Sequence, residues 1–375
     1  MHIFFDNAST TPMYHEVIDV MQEIFKHDFG NPSSIHGLGR KSRSLIEKSR
    51  KSVAAIINAS VGEVFFTSCA TESNNWILES SVSSLGVKHI IISAIEHHCI
   101  LHKAKQLAAE QKVELHILGV DMNGMINLED LETKLSSLDS QVLVSIMFGN
   151  NEIGTIQPIE AIGDICKKYG AFYHCDAVQG IGKYPFDVQN LNIHFLSASA
   201  HKFHGPKGSG FAYIRNDAII APLLYGGSQE RNMRSGTENT AGIVGLATAL
   251  EKSYTAMLSN RSHTLSLKYA MIERLEGSGK DIRFNGYAGE DGLSHILSIS
   301  LPPSPKSEMM VMNLDIFGIA VSSGSACTAG IEEDSHVMQA IQHPTERKVI
   351  RLSFSAFNTM AEVDIVATKI IELLG

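Results

Sequence analysis

No stretch of the 375-residue sequence is apolar for long enough to cross a bilayer, which takes about 20 residues in a helix. The opening residues, Met1-His2-Ile3-Phe4-Phe5-Asp6, lack the basic start and apolar core of a secretory leader. Neither a leader nor a membrane partner is therefore expected. Basic charge is in short supply as well, with 31 Lys and Arg against 40 Asp and Glu, a formal net charge of −9. That balance leaves no electrostatic footprint for nucleic acid, and no direct nucleic-acid contact is expected. Cysteine is scarce. Cys69, Cys99, Cys166, Cys175 and Cys327 are scattered, with no C-x-x-C pair. This argues against a disulfide framework or a cysteine-built zinc site and suits a reducing cytoplasm. Repeats and low-complexity segments are also missing. What remains, 44% apolar and 19% charged, is the composition of a folded chain long enough for two domains.

Short apolar runs alternate with longer segments of helical period. Strands are predicted at 63–67, 89–93, 113–118, 142–148, 172–174, 194–197 and 210–214, with helices such as 98–111 and 159–169 between them. Such alternation reads as α/β with a mostly parallel, buried sheet. Asn127 can cap the segment that follows it, and Gly170 can end the helix before it. Beyond about Gly226 the pattern changes to a long helical stretch from Thr240 towards Leu275. A strand at 296–300, a helix at 307–317 ended by Gly318, and a surface helix at 361–374 follow. This part reads as a smaller α+β domain.

Eight segments could carry chemistry. In Val321-Ser322-Ser323-Gly324-Ser325-Ala326-Cys327-Thr328-Ala329-Gly330, a thiol sits in a run of residues too small to fill a core; an exposed thiol is either idle or used. In Ser197-Ala198-Ser199-Ala200-His201-Lys202-Phe203-His204-Gly205, a strand ends and presents Lys202, which could form a Schiff base or be a surface lysine before a turn. Asp176, closing Tyr173-His174-Cys175-Asp176, could pair with a ring nitrogen or cap a helix. Thr67-Ser68-Cys69-Ala70-Thr71 opens a helix and could bind phosphate or only cap it. In Glu96-His97-His98-Cys99, His97 could stack on a ring. The His98/His102 pair has metal-ligand spacing but no third carboxylate, so no metal is assigned. Asn150-Asn151 could bind a ligand or cap a turn. Met233-Arg234-Ser235-Gly236-Thr237 suits an anion. Arg351, inside an apolar strand, needs an anion: a substrate carboxylate or a structural partner.

Taken in order, TSCATESNN, EHHCIL, SIMFGNNEIGTIQP, YHCDAVQGIGK, SASAHKFHGPKGSG, MRSGTENT, VSSGSACTAG and IRLSFS resemble the motifs of cysteine desulfurases of the iron–sulfur-cluster and nitrogen-fixation type, in the class V aminotransferase family. The likeness runs from Phe5-Asp6-Asn7-Ala8 to beyond Arg351, and SSGSACT matches the group with a long loop around the cysteine. It implies pyridoxal-phosphate fold type I: a large domain at 13–250 with a mostly parallel mixed sheet between helices, and a small domain of 1–12 plus 251–375. It implies a homodimer, pyridoxal 5′-phosphate as cofactor, L-cysteine as substrate, and a sulfur-acceptor protein, whether a cluster scaffold or a tRNA- or cofactor-thiolation enzyme.

Residue by residue, the resemblance implies that Lys202 carries the cofactor and moves the substrate Cα proton. Asp176 faces the ring nitrogen, Gln179 faces the ring oxygen, and His97 stacks on the ring and assists proton transfers. Ala70, Thr71, Ser199 and His201 hold the phosphate, joined by Thr237 of the other subunit. Asn151 and Arg351 hold the substrate carboxylate, and Cys327 takes the sulfur as a persulfide. There are departures from the pattern. Cys69 stands where Gly is usual, a cost if that backbone is left-handed. Ala200 replaces a common Gly, and Ser353-Phe354-Ser355-Ala356 lacks a second arginine. Glu332, Glu333 and Asp334 follow the cysteine and would raise its pKa. The end at Gly375, shortly after the last helix, leaves out the longer tail with which some relatives engage a cluster scaffold, so scaffold recognition stays open. Two other readings stay open: a selenocysteine lyase or related aminotransferase, and a weakly catalytic sulfur-relay or assembly protein.

Overall fold

A computed structural model describes residues 2–323 and 335–375. The strands are β1 (Ile3–Phe4), β2 (Val64–Thr67), β3 (His89–Ser93), β4 (Glu114–Leu118), β5 (Val142–Ser145), β6 (Phe172–Asp176), β7 (Phe195–Ser199), β8 (Gly210–Ile214), β9 (Arg283–Asn285), β10 (Ile296–Leu301), β11 (Ile319–Ala320) and β12 (Lys348–Ser353). The helices are α1 (His15–His27), α2 (Gly37–Ile56), α3 (Ala70–Leu85), α4 (His98–Ala109), α5 (Leu128–Ser136), α6 (Ile159–Lys168), α7 (Thr240–Thr255), α8 (Met257–Glu276), α9 (Pro305–Glu308), α10 (Met310–Ile316), α11 (His336–Ala340) and α12 (Met360–Leu374).

Seven strands make one sheet in the order β2-β8-β7-β6-β5-β3-β4. Only β8 is antiparallel to its neighbours β2 and β7; the other pairs are parallel. Side-chain alternation explains why both faces are apolar. Ile91, Val144, Tyr173 and Leu196 point to a core shared with α1, α2, α5, α6 and α7. Ile90, Ile92, Leu143 and Phe195 point to the other, where Trp76 and Ile77 of α3 and Ile100 and Leu107 of α4 cover them. The sheet is thus the mixed, mostly parallel one expected from the alternating runs.

A separate core gathers Ile3 and Phe5, α8, α10, α12 and the antiparallel sheet β12-β10-β9. The N-terminal segment belongs to it through real bonds. Ser353 N donates to Phe5 O at 2.7 Å, and Asn7 Nδ2 donates to Ser353 O at 2.8 Å and to Asn358 Oδ1 at 3.1 Å.

Two helices differ from expectation. The stretch from Thr240 to Leu275 is not continuous but breaks at Ala256, because α7 packs on α1 and α2 while α8 turns to α12 and the second core. The helix expected at 307–317 is two short pieces, α9 and α10. It starts earlier because Ser304 caps it and Pro305 fits its first turn. Gly318 does end it, at φ 75°.

Candidate active site

In the large sheet, β2, β3, β5, β6 and β7 all end at one edge, since two antiparallel steps through β8 bring β2 parallel to β7. The residues just past those ends line a cavity of about 360 Å³, of small-molecule size. Ala70, Thr71, His97, Asn151, Asp176, Gln179, Ser199, His201, Lys202 and Arg351 all line it.

Asp176 closes β6 and is buried. Its Oδ2 accepts from Asn74 Nδ2 at 2.7 Å and its Oδ1 from Val178 N at 3.1 Å. Below it, His174 bridges Ser145 (2.8 Å) and Ser197 (3.2 Å) across three strands. Burial pushes that imidazole down to about 3, so it is a neutral strut. Lys202 follows β7, and its Nζ donates to the carbonyls of Ala8 (2.7 Å) and Ser9 (2.8 Å). The N-terminal segment thus supplies backbone to the site. Gln179 is clamped, Nε2 donating to Ala8 O and Oε1 meeting His295 Nε2, both at 3.1 Å.

The α3 N-terminus also opens on the cavity. No side chain caps it, so its first N–H groups are available to an anion, apart from Ala70 N, which donates to Ser199 Oγ at 2.8 Å. Cys69 sits at φ −175°, an extended conformation open to any residue, so the cost foreseen for Cys in place of Gly does not arise. Gly210 allows the close approach of this segment to β8: a Cβ there would lie 2.8 Å from the Cys69 Cα. Likewise, Ala200 is accommodated because its neighbour Gly205 has no Cβ, which would come within 2.8 Å of the Ala200 Cβ. His201 is pushed down to about 4, chiefly by burial and then by Lys202, and its Nδ1 contacts Thr10 Oγ1 at 3.2 Å.

Arg351, fully buried on β12, reaches in from the second core. Its Nη2 donates to Asp6 Oδ1 and Ser9 Oγ, both at 2.7 Å, and its Nη1 to Asn151 O at 2.8 Å. The structural partner left open by the sequence therefore exists in Asp6, while the guanidinium also lines the cavity. Of the two asparagines, Asn150 is a turn residue, accepting from Glu152 N and Ile153 N; Asn151 faces the cavity.

His97 caps α4, its Nδ1 contacting Cys99 N at 3.2 Å and Cys99 Sγ at 2.9 Å. Burial lowers its pKa. The Cys99 thiol is pushed up to about 12, first by burial and then by Asp176. His98 contacts the rings of both His102 and His336, yet these three do not converge on one point. Among the described residues, the group whose donor atoms lie within 4.8 Å of one another is His89, Glu114 and His116, elsewhere.

Thr237 is not in this cavity of its own chain; it lines a second cleft with Ser68, Arg234 and Gly236. Cys327, with Glu332, Glu333 and Asp334, lies outside the described residues.

Several groups escaped the sequence reading. Asn74 shows there only as one polar residue in a helix. Lys183 donates to Lys202 O at 2.7 Å and is pushed down to about 7, by burial and by Lys202. Glu96 is buried: Oε1 accepts from Ser93 Oγ (2.6 Å) and Met147 N (3.0 Å), while Oε2 has no partner among the described residues. Burial pushes its carboxyl up to about 8. The pair Glu96-His97 at the end of a strand was the available signal.

A lysine amine, a buried carboxylate, an imidazole and an uncapped helix N-terminus can together hold a phosphorylated ring, with Arg351 beside it for a carboxylate. Known proteins agree with that class. The aminotransferase class-V model matches residues 3–366. "Putative cysteine desulfurase IscS 1" of Bacillus subtilis (strain 168) is 40% identical over 378 residues, covering 99% of this chain and 98% of that one. A solved "NIFS-LIKE PROTEIN" superposes with TM-score 0.91 at 38% identity, covering 100% and 99%. "SspA in complex with cysteine" does so with TM-score 0.81 at 29%, covering 95% and 100%. The chain belongs to the class V aminotransferase family.

Proposed function

We propose that the protein is a pyridoxal-phosphate-dependent cysteine desulfurase, which takes sulfur from L-cysteine and leaves L-alanine. The observation that carries this reading is the meeting of Lys202, Asp176, His97 and Arg351 around one cavity, each from a different strand end or core. When bound, the cofactor supplies an electron sink for charge at the substrate Cα. Asp176, steadied by Asn74, holds a proton at the ring nitrogen. Ala70, Thr71, Ser199 and His201 hold the phosphate at the open α3 N-terminus. His97 would lie against the ring, and Gln179 would face its oxygen. Arg351 and Asn151 orient the substrate carboxylate, and Lys202 moves the proton at Cα.

Cys327 supplies the nucleophile. Its thiolate forms an S–S bond with the substrate sulfur as the substrate C–S bond breaks. The electron pair stays on the carbon skeleton, which is protonated and leaves as alanine, and the enzyme keeps a persulfide. Cys99 does not suit that role, since its thiol stays protonated near neutral pH.

We also propose a homodimer. Phe29, Ile35 and Tyr225 are large apolar side chains at 72%, 90% and 83% exposure. Ser33 and Gln229 bond at 3.1 Å, which joins the 29–38 segment to the loop that leads to Thr237. A partner covering that patch would receive Thr237 at its phosphate. We read the chain as two domains, the smaller combining the N-terminal residues with the C-terminal third, as the second core suggests. The sulfur acceptor is a protein of cluster assembly or thiolation, and the compartment is the reducing cytoplasm.

The experiment is Cys327→Ser, with sulfide and alanine measured from L-cysteine. Loss of sulfide release on the order of 10³-fold is expected. Undiminished release overturns the nucleophile, and continued conversion of an amino acid to its keto acid supports an aminotransferase instead.

A further inference from the structure

At the amino end of the sheet, opposite the cavity, three ligand-type side chains share one face. Parallel pairing sets His89 of β3 opposite Glu114 of β4 and Ile91 opposite His116, and residues two apart on a strand point the same way. His89 Nδ1 and His116 Nε2 are 3.2 Å apart. His89 Nδ1 lies 3.7 Å from Glu114 Oε2 and His116 Nε2 lies 3.7 Å from Glu114 Oε1, and one donor atom from each of the three residues falls within 4.8 Å of the others. A tetrahedral ion with ligands at about 2.1 Å spaces its donor atoms by about 3.4 Å, so the two imidazole nitrogens already stand at the spacing of a small divalent ion, and a rotation of the exposed Glu114 side chain brings one carboxylate oxygen to complete the set.

We propose that His89, Glu114 and His116 form a binding site for a divalent transition-metal ion of the zinc class. Two imidazoles and one carboxylate favour zinc, cobalt, nickel or copper over magnesium and calcium, which prefer all-oxygen shells. The histidine side chains are 13% and 10% exposed, which holds the rings in place; Glu114, at 67%, leaves the site open to solvent. Three protein donors leave a fourth position for water. The ion would clip the edge strand β4 to β3 at the end where neither strand meets the cavity.

The test uses the cofactor-loaded protein, stripped with a chelator and dialysed against Zn²⁺, with metal counted per chain. Cys327 can also take zinc, so the readout is the difference between proteins. Wild type should hold one ion per chain more than His116→Ala. Glu114→Gln, an exposed change that threatens neither folding nor the cofactor, should weaken uptake at least about ten-fold. Co²⁺ should give wild type, but not His116→Ala, the strong d–d absorption of a tetrahedral ion. Equal zinc content in wild type and both variants overturns the site and leaves a His–His hydrogen bond beside a surface glutamate.

Discussion

Strand β3 joins two ends of one sheet that treat similar residues differently. At its amino end His89 sits beside Glu114 in reach of water. At its carboxyl end the chain runs straight into Glu96 and His97, and there the glutamate is 1% exposed. Six residues lie between His89, whose partner Glu114 is exposed, and the buried Glu96. The first set can respond to what solution brings. The second is fixed by backbone groups before any ligand arrives: Met147 N donates to Glu96, Val178 N donates to Asp176, and the Ala8 and Ser9 carbonyls accept from Lys202. Preorganisation of that kind at the carboxyl end is what the proposed chemistry would draw on.

The sharpest way to break the comparison is Lys202→Ala. It should abolish the visible absorption of bound pyridoxal phosphate and lower sulfide release on the order of 10³-fold. Full activity in a coloured variant would remove the carboxyl end's claim to be the site. Asp176→Asn should cost less, roughly 10²-fold, because the geometry held by Asn74 and Val178 survives while the charge is lost. Its loss should appear in turnover more than in substrate binding, and an effect confined to KM would mean that Asp176 only shapes the pocket.

Glu96 gives a third test, read in stability. Its folded pKa of about 8 lies above the ordinary 4.5. The folded chain therefore keeps a proton that the unfolded chain gives up between those values. Stability is full below the lower value and is lost as pH rises through the upper one, by roughly 3–5 kcal/mol if burial is complete. Glu96→Gln keeps an oxygen for Ser93 and Met147 N and carries no charge. In the cofactor-free protein, denaturant melts at pH 5 and pH 9 should differ by less in this variant than in wild type. An unchanged difference would place the pH response elsewhere.

The amount legible in the sequence follows the same division. The seven strands of the large sheet were readable because their apolar runs are short and flanked by turns. The residues at their carboxyl ends were readable because polar groups interrupt those runs: Asp176 after Cys175, Lys202 after His201. What could not be read was pairing across the chain. Asn74 beside Asp176, Ala8 and Ser9 beneath Lys202, and Asp6 on Arg351 lie 102 to 345 positions from their partners. Periodicity carries nothing about such distances. The same holds for His89 and His116, each an unremarkable residue in its own strand until register brings them together. The break at Ala256 was hidden for another reason: both flanking segments have helical period, and only the choice of core separates them.

The smallest effect belongs to Cys69, where sequence and structure disagree. If the residue needed a left-handed backbone, Cys69→Gly would relieve strain and stabilise the protein by more than about 1 kcal/mol. At φ −175° there is no strain to relieve. Glycine would instead widen the unfolded ensemble and cost up to about 1 kcal/mol. The neighbouring N–H groups of α3 would stay where they are, because Gly210 and the Ser199 hydroxyl fix the loop from the other side. Thermal melts of wild type and Cys69→Gly, with pyridoxal-phosphate affinity measured on both, decide it. A small loss of stability with unchanged affinity supports the extended loop, whereas a clear gain in both would mean that the anion site at the carboxyl end is held under strain by this cysteine.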